Sequence, residues 1–213
     1  GESGGSGAPG GSDTAGEPGG GPPEPQQETR VVELSPSDVS QAIRSAVNGT
    51  LVIDARTDDG SPGRNVEVVF PVEEVLKEDS PIREIAIDTG TALITIPVDA
   101  ARGVLSAGSR LLTVKVDAVD PSSLPENARR IVGGGPAVDI KISVDGGLLG
   151  ALPGRPITVK IPYELGSGEH PGRVVVYFIG EDGRLEVVRN ARYQPSSRSV
   201  VFKPEHLSLY AAA

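Results

Sequence analysis

From Arg30 onward the chain alternates apolar and polar positions with a period of two, broken by short clusters of Gly, Pro, Asn and Asp. That alternation is the pattern of half-buried β-strands bounded by turns. It predicts strands at Arg30–Leu34, Thr50–Arg56, Asn65–Phe70, Ile82–Asp88, Ala92–Ile96, Leu111–Ala118, Ala137–Val144, Ile157–Ile161, Arg173–Ile179, Leu185–Arg189, Ser199–Phe202 and Leu207–Ala211. Thr89-Gly90, Gly180–Gly183 and Pro195-Ser196-Ser197 lie between apolar runs and read as hairpin turns.

One segment follows a helical period instead. Val39, Ala42, Ile43, Ala46 and Val47 recur at i, i+3, i+4, i+7 and i+8, which gives one apolar stripe. Ser35 is a good N-cap, Pro36 suits the first helical position, and Asp38 complements the positive helix end. Asn48-Gly49 offers a left-handed stop. Asn48-Gly49-Thr50 is also an N-glycosylation sequon, although the stop already accounts for those residues.

Three segments share one design: Val66–Val72, Ala92–Val98 and Ile157–Tyr163 each alternate and then reach a Pro, which cannot donate to a ladder. After the first two, Val72–Leu76 and Val98–Leu105 read as short helices with acidic first turns. The likeness points to two related β units meeting near Asp120–Gly135, where Pro and Gly gather; the alternative is that a strand ending on Pro is simply common. The expected organisation is an arm over 1–29, a β-rich domain with short helices over 30–120 and a C-terminal β-sandwich over 121–213. The expected fold class is mainly β, one or two antiparallel β-sandwich units with a few short helices and a Gly/Pro-rich N-terminal arm, disordered or ordered by a partner.

Composition changes this picture at the arm. Gly1–Thr29 is rich in Gly and Pro and contains no Val, Ile, Leu, Phe or Tyr, so it lacks the apolar surface that offsets ordering entropy. Its partial three-residue Gly beat is interrupted at Asp13 and Pro22, which favours a spacer over a collagen helix. Glu2, Asp13, Glu17, Glu24 and Glu28 carry five of the nine net negative charges. The remainder is still acidic and has only 3% aromatic residues, which argues against nucleic-acid binding. No apolar run approaches the ~20 residues that span a bilayer. The absence of Met is read as a processed product, with a secretory signal removed. The absence of Cys leaves no thiolate metal site, Cys nucleophile or disulfide.

Candidate chemistry is sparse. His170 lies in a polar loop, and His206 opens the last expected strand; Glu205 and Ser208 are its sequence neighbours, but alternation along a strand makes them a poor triad. Asp54, Asp58 and Asp59 before Gly60 are the best hard-cation candidates, without the EF-hand spacing. Glu181-Asp182-Gly183 reads as a turn, and Gly133-Gly134-Gly135 lacks the Lys-Ser/Thr of a phosphate loop. With no Trp and four Tyr, a carbohydrate-binding platform is weakly supported. No enzyme activity, cofactor, metal site or catalytic residue is assigned.

The C-terminal half carries a family likeness. Ile157–Tyr163 is followed by Val174–Ile179, Gly183-Arg184-Leu185, Ala191-Arg192-Tyr193, Ser199-Val200-Val201-Phe202 and His206-Leu207-Ser208-Leu209-Tyr210-Ala211. This order resembles a β-rich module of bacterial cell-surface and S-layer-associated proteins, of the type found beside S-layer-homology repeats. Leu207 stands where that module usually has Phe. The likeness covers about Ala137–Ala211 and weakens back to Val31, and no S-layer-homology repeat is present. It implies an extracellular structural role and names no catalytic residue. The expectation is therefore a non-catalytic, secreted homo-oligomeric subunit of a cell-surface fibre or lattice. Its partners would be copies of itself and possible wall or surface components, without membrane insertion. Strand addition by Arg30, Val31, Val32, Glu33 and Leu34 to a neighbouring subunit would assemble it. The alternative is a monomeric surface spacer or adhesion module with the arm as a flexible linker.

Overall fold

A computed structural model describes residues 28–105, 108–151 and 156–213; the arm expected over 1–29 lies almost wholly outside them. Among the described residues the fold is mainly β: two packed sheets and four short helices. In chain order the elements are β1 (Arg30–Glu33), α1 (Pro36–Arg44), β2 (Thr50–Asp54), β3 (Asn65–Pro71), α2 (Glu73–Leu76), β4 (Glu84–Asp88) and β5 (Leu93–Pro97). Next come α3 (Val98–Val104), β6 (Leu111–Val119), α4 (Glu126–Val132), β7 (Ala137–Val144), β8 (Gly147–Leu149) and β9 (Thr158–Pro162). The chain closes with β10 (Val176–Ile179), β11 (Leu185–Val187), β12 (Arg192–Gln194), β13 (Ser199–Phe202) and β14 (Leu209–Ala212). Pro71, Pro97 and Pro162 are the last residues of β3, β5 and β9, as a missing N–H donor requires.

The first sheet runs β1-β3-β6-β7-β14-β10-β11, with β8 beside the far half of β7; the second runs β12-β13-β9-β5-β4-β2. The sheets are mixed, not wholly antiparallel as expected: β1 pairs with β3, and β2 with β4, in parallel. Early in the chain, successive strands alternate between the sheets, so a strand returns beside its predecessor only after crossing the sandwich. Such a crossover is what a parallel pair needs. Inward positions of both sheets form one core, including Val68, Phe70, Val114 and Ile140 from the first and Leu51, Ile85, Ile96, Ile161 and Phe202 from the second.

The expected boundary at 120–121 is not a break in either sheet. β6 and β7 on its two sides pair over eight residues, Leu112↔Val144 to Val119↔Ala137. The Pro- and Gly-rich stretch between them forms a 3-10 turn (Pro121–Ser123) and then α4. Leu124, Ala128 and Val132 pack with Ala137, Ile179 and Ala211 in a second, smaller core on the outer face of the first sheet. Gly135 permits that return: a Cβ there would collide with the carbonyl oxygen of Ala212.

At α1 the Ser35 hydroxyl accepts from the Asp38 N–H at 3.2 Å, and the Asp38 carboxylate accepts from the Ser35 N–H at 2.8 Å, a reciprocal capping box. The helix ends at Arg44, so Asn48-Gly49 is not its cap. Both residues are left-handed (φ 54° and 78°) because they make the tight turn into β2, closed by the Thr50 N–H donating to Val47 O at 3.0 Å.

Candidate assembly edge

The segment singled out for assembly, Arg30 to Leu34, forms β1 on the rim of the first sheet of its own chain. Arg30, Val31, Val32 and Glu33 lie in register with Val66, Glu67, Val68 and Val69. The Leu34 N–H continues the ladder, donating to Val69 O at 2.9 Å. Val32 and Leu34 are half-buried against the main core, while Val31 is 58% exposed. In a parallel ladder alternate residues face the same neighbour, so the backbone groups of Val31 and Glu33 point away from β3. This short free edge offers little template for uncontrolled pairing.

β1 is lightly held. Among the described residues its one ion pair joins Arg30 Nη2 to Asp58 Oδ1 at 2.9 Å, and the Asp58 side chain is 94% exposed, a setting in which such pairs are weak. Among the described residues the Arg30 Nε is shielded from solvent without an acceptor. Two half-buried apolar side chains contribute about 1 kcal/mol each. Beneath β1 lies β3, whose Val66, Val68 and Phe70 are fully buried and whose other edge is zipped to β6 over seven residues. Removing β1 would leave this seven-residue strand as an ordered rim.

The three cation candidates go to three different partners. Asp54 accepts from Arg56 Nε at 2.9 Å and Nη2 at 2.5 Å, which holds its carboxyl down at about 2. Asp58 pairs with Arg30. Asp59 closes its own loop, accepting from the Ser61 and Thr57 hydroxyls and from the Ser61 N–H at 3.0 Å, and its carboxyl is held well below the usual range. Among the described residues no three His, Asp or Glu side chains are placed to hold a metal ion.

The histidines are likewise separate. His170 Nδ1 accepts from the Gly172 N–H at 3.1 Å and so caps the 3-10 turn Pro171–Arg173. The His206 ring rests against Phe178, with centroids 5.3 Å apart. Among the described residues neither Glu205 nor Ser208 hydrogen-bonds to that ring; Ser208 instead accepts at its carbonyl from the Ile140 N–H at 3.1 Å. Asn48 is exposed at its turn.

One feature escaped the sequence pattern. A cleft of about 500 Å³ lies beside β10, β11 and the turn before β14, lined by Phe178, Val188 and Tyr210 together with the charged Glu186, Arg189 and Glu205. The signal lay in strand pairing, since Phe178 and Tyr210 are register partners and Glu186 sits opposite Phe178. No protein-family model matches this chain, and neither a curated protein nor a solved structure matches it significantly.

Proposed function

We propose that this chain is a non-catalytic extracellular structural protein, a subunit of a cell-surface fibre or lattice of the S-layer-associated kind, joined to its neighbours by exchange of β1. The observation that carries the reading is the seating of β1: four residues, peripheral, in parallel pairing, lightly held, and continuous with the Gly/Pro-rich arm. The acceptor is the same β3 edge on the next copy, because it already fits Val32 and Leu34 and carries the ladder partners. The hinge is the link between Leu34 and Pro36, where the stiff helix start limits how β1 can lie. A head-to-tail exchange that does not close on itself extends into a filament.

The absence of native cysteine makes the test clean. Val31 and Glu67 are outward-facing register partners, at a separation that a disulfide can bridge. A Val31→Cys/Glu67→Cys double variant, oxidised as a monomer, is expected to form no polymer and to polymerise on reduction. Mixed single variants are expected to form disulfide-linked dimers between chains. No cross-link in the mixture, with an oligomeric state indifferent to the lock, would overturn the exchange.

The second reading, a monomeric surface spacer or adhesion module, is favoured by the Phe178–Tyr210 cleft, whose Glu186, Arg189 and Glu205 make no ion pair among the described residues. A chain that sediments as a monomer at about millimolar concentration in either redox state supports it.

A further inference from the structure

We infer that the outer face of the second sheet is a self-complementary contact surface for another copy of this chain, related by a two-fold axis parallel to the strands. This goes beyond exchange of β1, which uses the rim of the other sheet.

The two outer faces of the sandwich differ in how their charges are arranged. On the first sheet, α4 covers part of the face, and the neighbouring positions of β3, β6 and β7 are charged: Glu67, Lys115 and Lys141 in one row, Asp117 and Asp139 in the next. Lys115–Asp117 and Lys141–Asp139 pair along the strands at 3.4 Å and 2.6 Å. The lysine and aspartate charges of that face are thus paired within the chain, while Val31, Leu111, Leu148 and Val187 stay exposed on it.

On the second sheet the inward set includes Leu51, Ile53, Ile85, Ile87, Ile94, Ile96, Val159 and Ile161, so the residues between them face outward. Register places Val52, Ala86, Thr95 and Thr158 side by side across four strands. None of the four is charged; Val52 is 60% exposed, and Thr95 and Thr158 are partly exposed. An uncharged row of β-branched and small side chains, with Ala86 already nearly buried among them, loses little hydration when another surface covers it.

The adjacent row supplies direction. Across six strands it reads Asp54, Asp88, Leu93, Lys160, Val201, Arg192. Acidic groups lie at the β2 and β4 side and basic groups at the β9 and β12 side, with Arg56 partly neutralising the acidic end through Asp54 and Asp88. Rotation by half a turn about an axis along the strands, between β5 and β9, lays this row on its own reverse. Asp54 then faces Arg192, and Leu93 faces the aliphatic stem of Lys160. An axis across the strands would instead set acid on acid. The charge pattern therefore selects one of the two arrangements, and it does so for an isologous pair.

The size of the face sets the strength. Six strands at ~4.8 Å spacing and about five residues of ~3.3 Å give a footprint on the order of 450 Å². Stable interfaces bury about 800 Å² per partner, so a single contact is weak and gains strength by repetition in an array.

Sedimentation equilibrium of the full chain and two exposed-site variants, Asp54→Arg and Arg192→Asp, tests the inference. The wild type is expected to dimerise reversibly at high protein concentration, more weakly as salt rises. Each variant alone is expected to associate at least about tenfold more weakly, because it sets like charges opposite one another. An equimolar mixture is expected to recover the wild-type association, since the two introduced side chains then face each other as an ion pair in one half and the native pair remains in the other. Exchange of β1 does not distinguish these variants, so its success or failure is read separately by the cysteine lock. Association unchanged in both variants, a wild type monomeric at about millimolar concentration, or a mixture no stronger than its components would overturn the inference.

Discussion

The hydroxyl of Tyr210 donates to the carbonyl oxygen of His206 at 2.7 Å and accepts from the His206 N–H at 3.3 Å. The side chain is almost fully buried between Phe178 and Phe202, with ring centroids 5.7 Å and 5.0 Å away. It thus ties the turn before β14 to the core that β14 completes.

That burial pushes the Tyr210 hydroxyl up to about 12, and burial with a 2.7 Å bond to Glu169 does the same for Tyr163. The neutral forms are favoured in the folded state, so their stabilisation is complete below the unfolded value near 10 and is lost as pH rises toward 12. Unfolding free energy from urea titration is expected to fall between about pH 10 and 12 by roughly 1–3 kcal/mol per tyrosine. Tyr210→Phe is expected to lose part of this alkaline dependence, Tyr163 supplying the rest. An identical pH profile in the variant contradicts the assignment.

Acid acts through carboxylates held low by hydrogen bonds. Asp54 is held at about 2 by Arg56, and Asp145 is lowered by accepting from the Leu111 and Arg110 N–H groups at 2.9 Å and 3.1 Å. Depressed values mean that stabilisation is complete above about pH 4 and fades as pH falls further. Calorimetry is expected to show a level Tm between about pH 5 and 8 and a progressive fall below pH 4. Asp145→Ala is expected to lower the neutral-pH Tm, because it also strips an acceptor from the start of β6. A Tm that stays flat to pH 2 counts against both.

Gly135 has no room for a methyl group against Ala212. Gly135→Ala is expected to cost about 1–3 kcal/mol through displacement of either α4 or β14. Gly134→Ala is the control, since a Cβ there meets nothing within 4 Å. Equal urea midpoints for the two variants would show that the loop yields without cost.

β14 lies between β7 and β10, and both of its faces are covered: Tyr210 and Ala212 by the main core, Ala211 by the cluster under α4. Deletion of Leu207–Ala213 splits the first sheet and is expected to prevent stable folding, each lost large apolar side chain costing about 2–5 kcal/mol. Deletion of residues 1–27, which contain no large apolar side chain, is expected to leave the monomer's Tm nearly unchanged. Comparable melts for the two truncations would mean that the core lies elsewhere.

Local chemistry was legible wherever one residue type has one physical consequence. Pro71, Pro97 and Pro162 end strands because they lack a donor, and Ser35, Pro36 and Asp38 start α1 because they satisfy its free amides. β8 and β12 are only three residues long, too short for alternation to stand out, and α4 was obscured by the Pro and Gly around it. β14 buries both of its faces, Tyr210 on one and Ala211 on the other, so alternation there carried no information about inside and outside.

For the candidate surfaces, the sequence alone determined that Arg30 to Leu34 has strand character and that an apolar-poor arm precedes it, because both depend on side-chain type and local period. Only the tertiary structure decided that β1 lies parallel to β3, that Asp54, Asp58 and Asp59 take separate partners, and that Asp54 and Arg192 stand at opposite ends of one row. These relations join residues as many as 138 positions apart through strand order and sheet choice. Period-two alternation is the same for every such order, so the packing of the whole core had to select one.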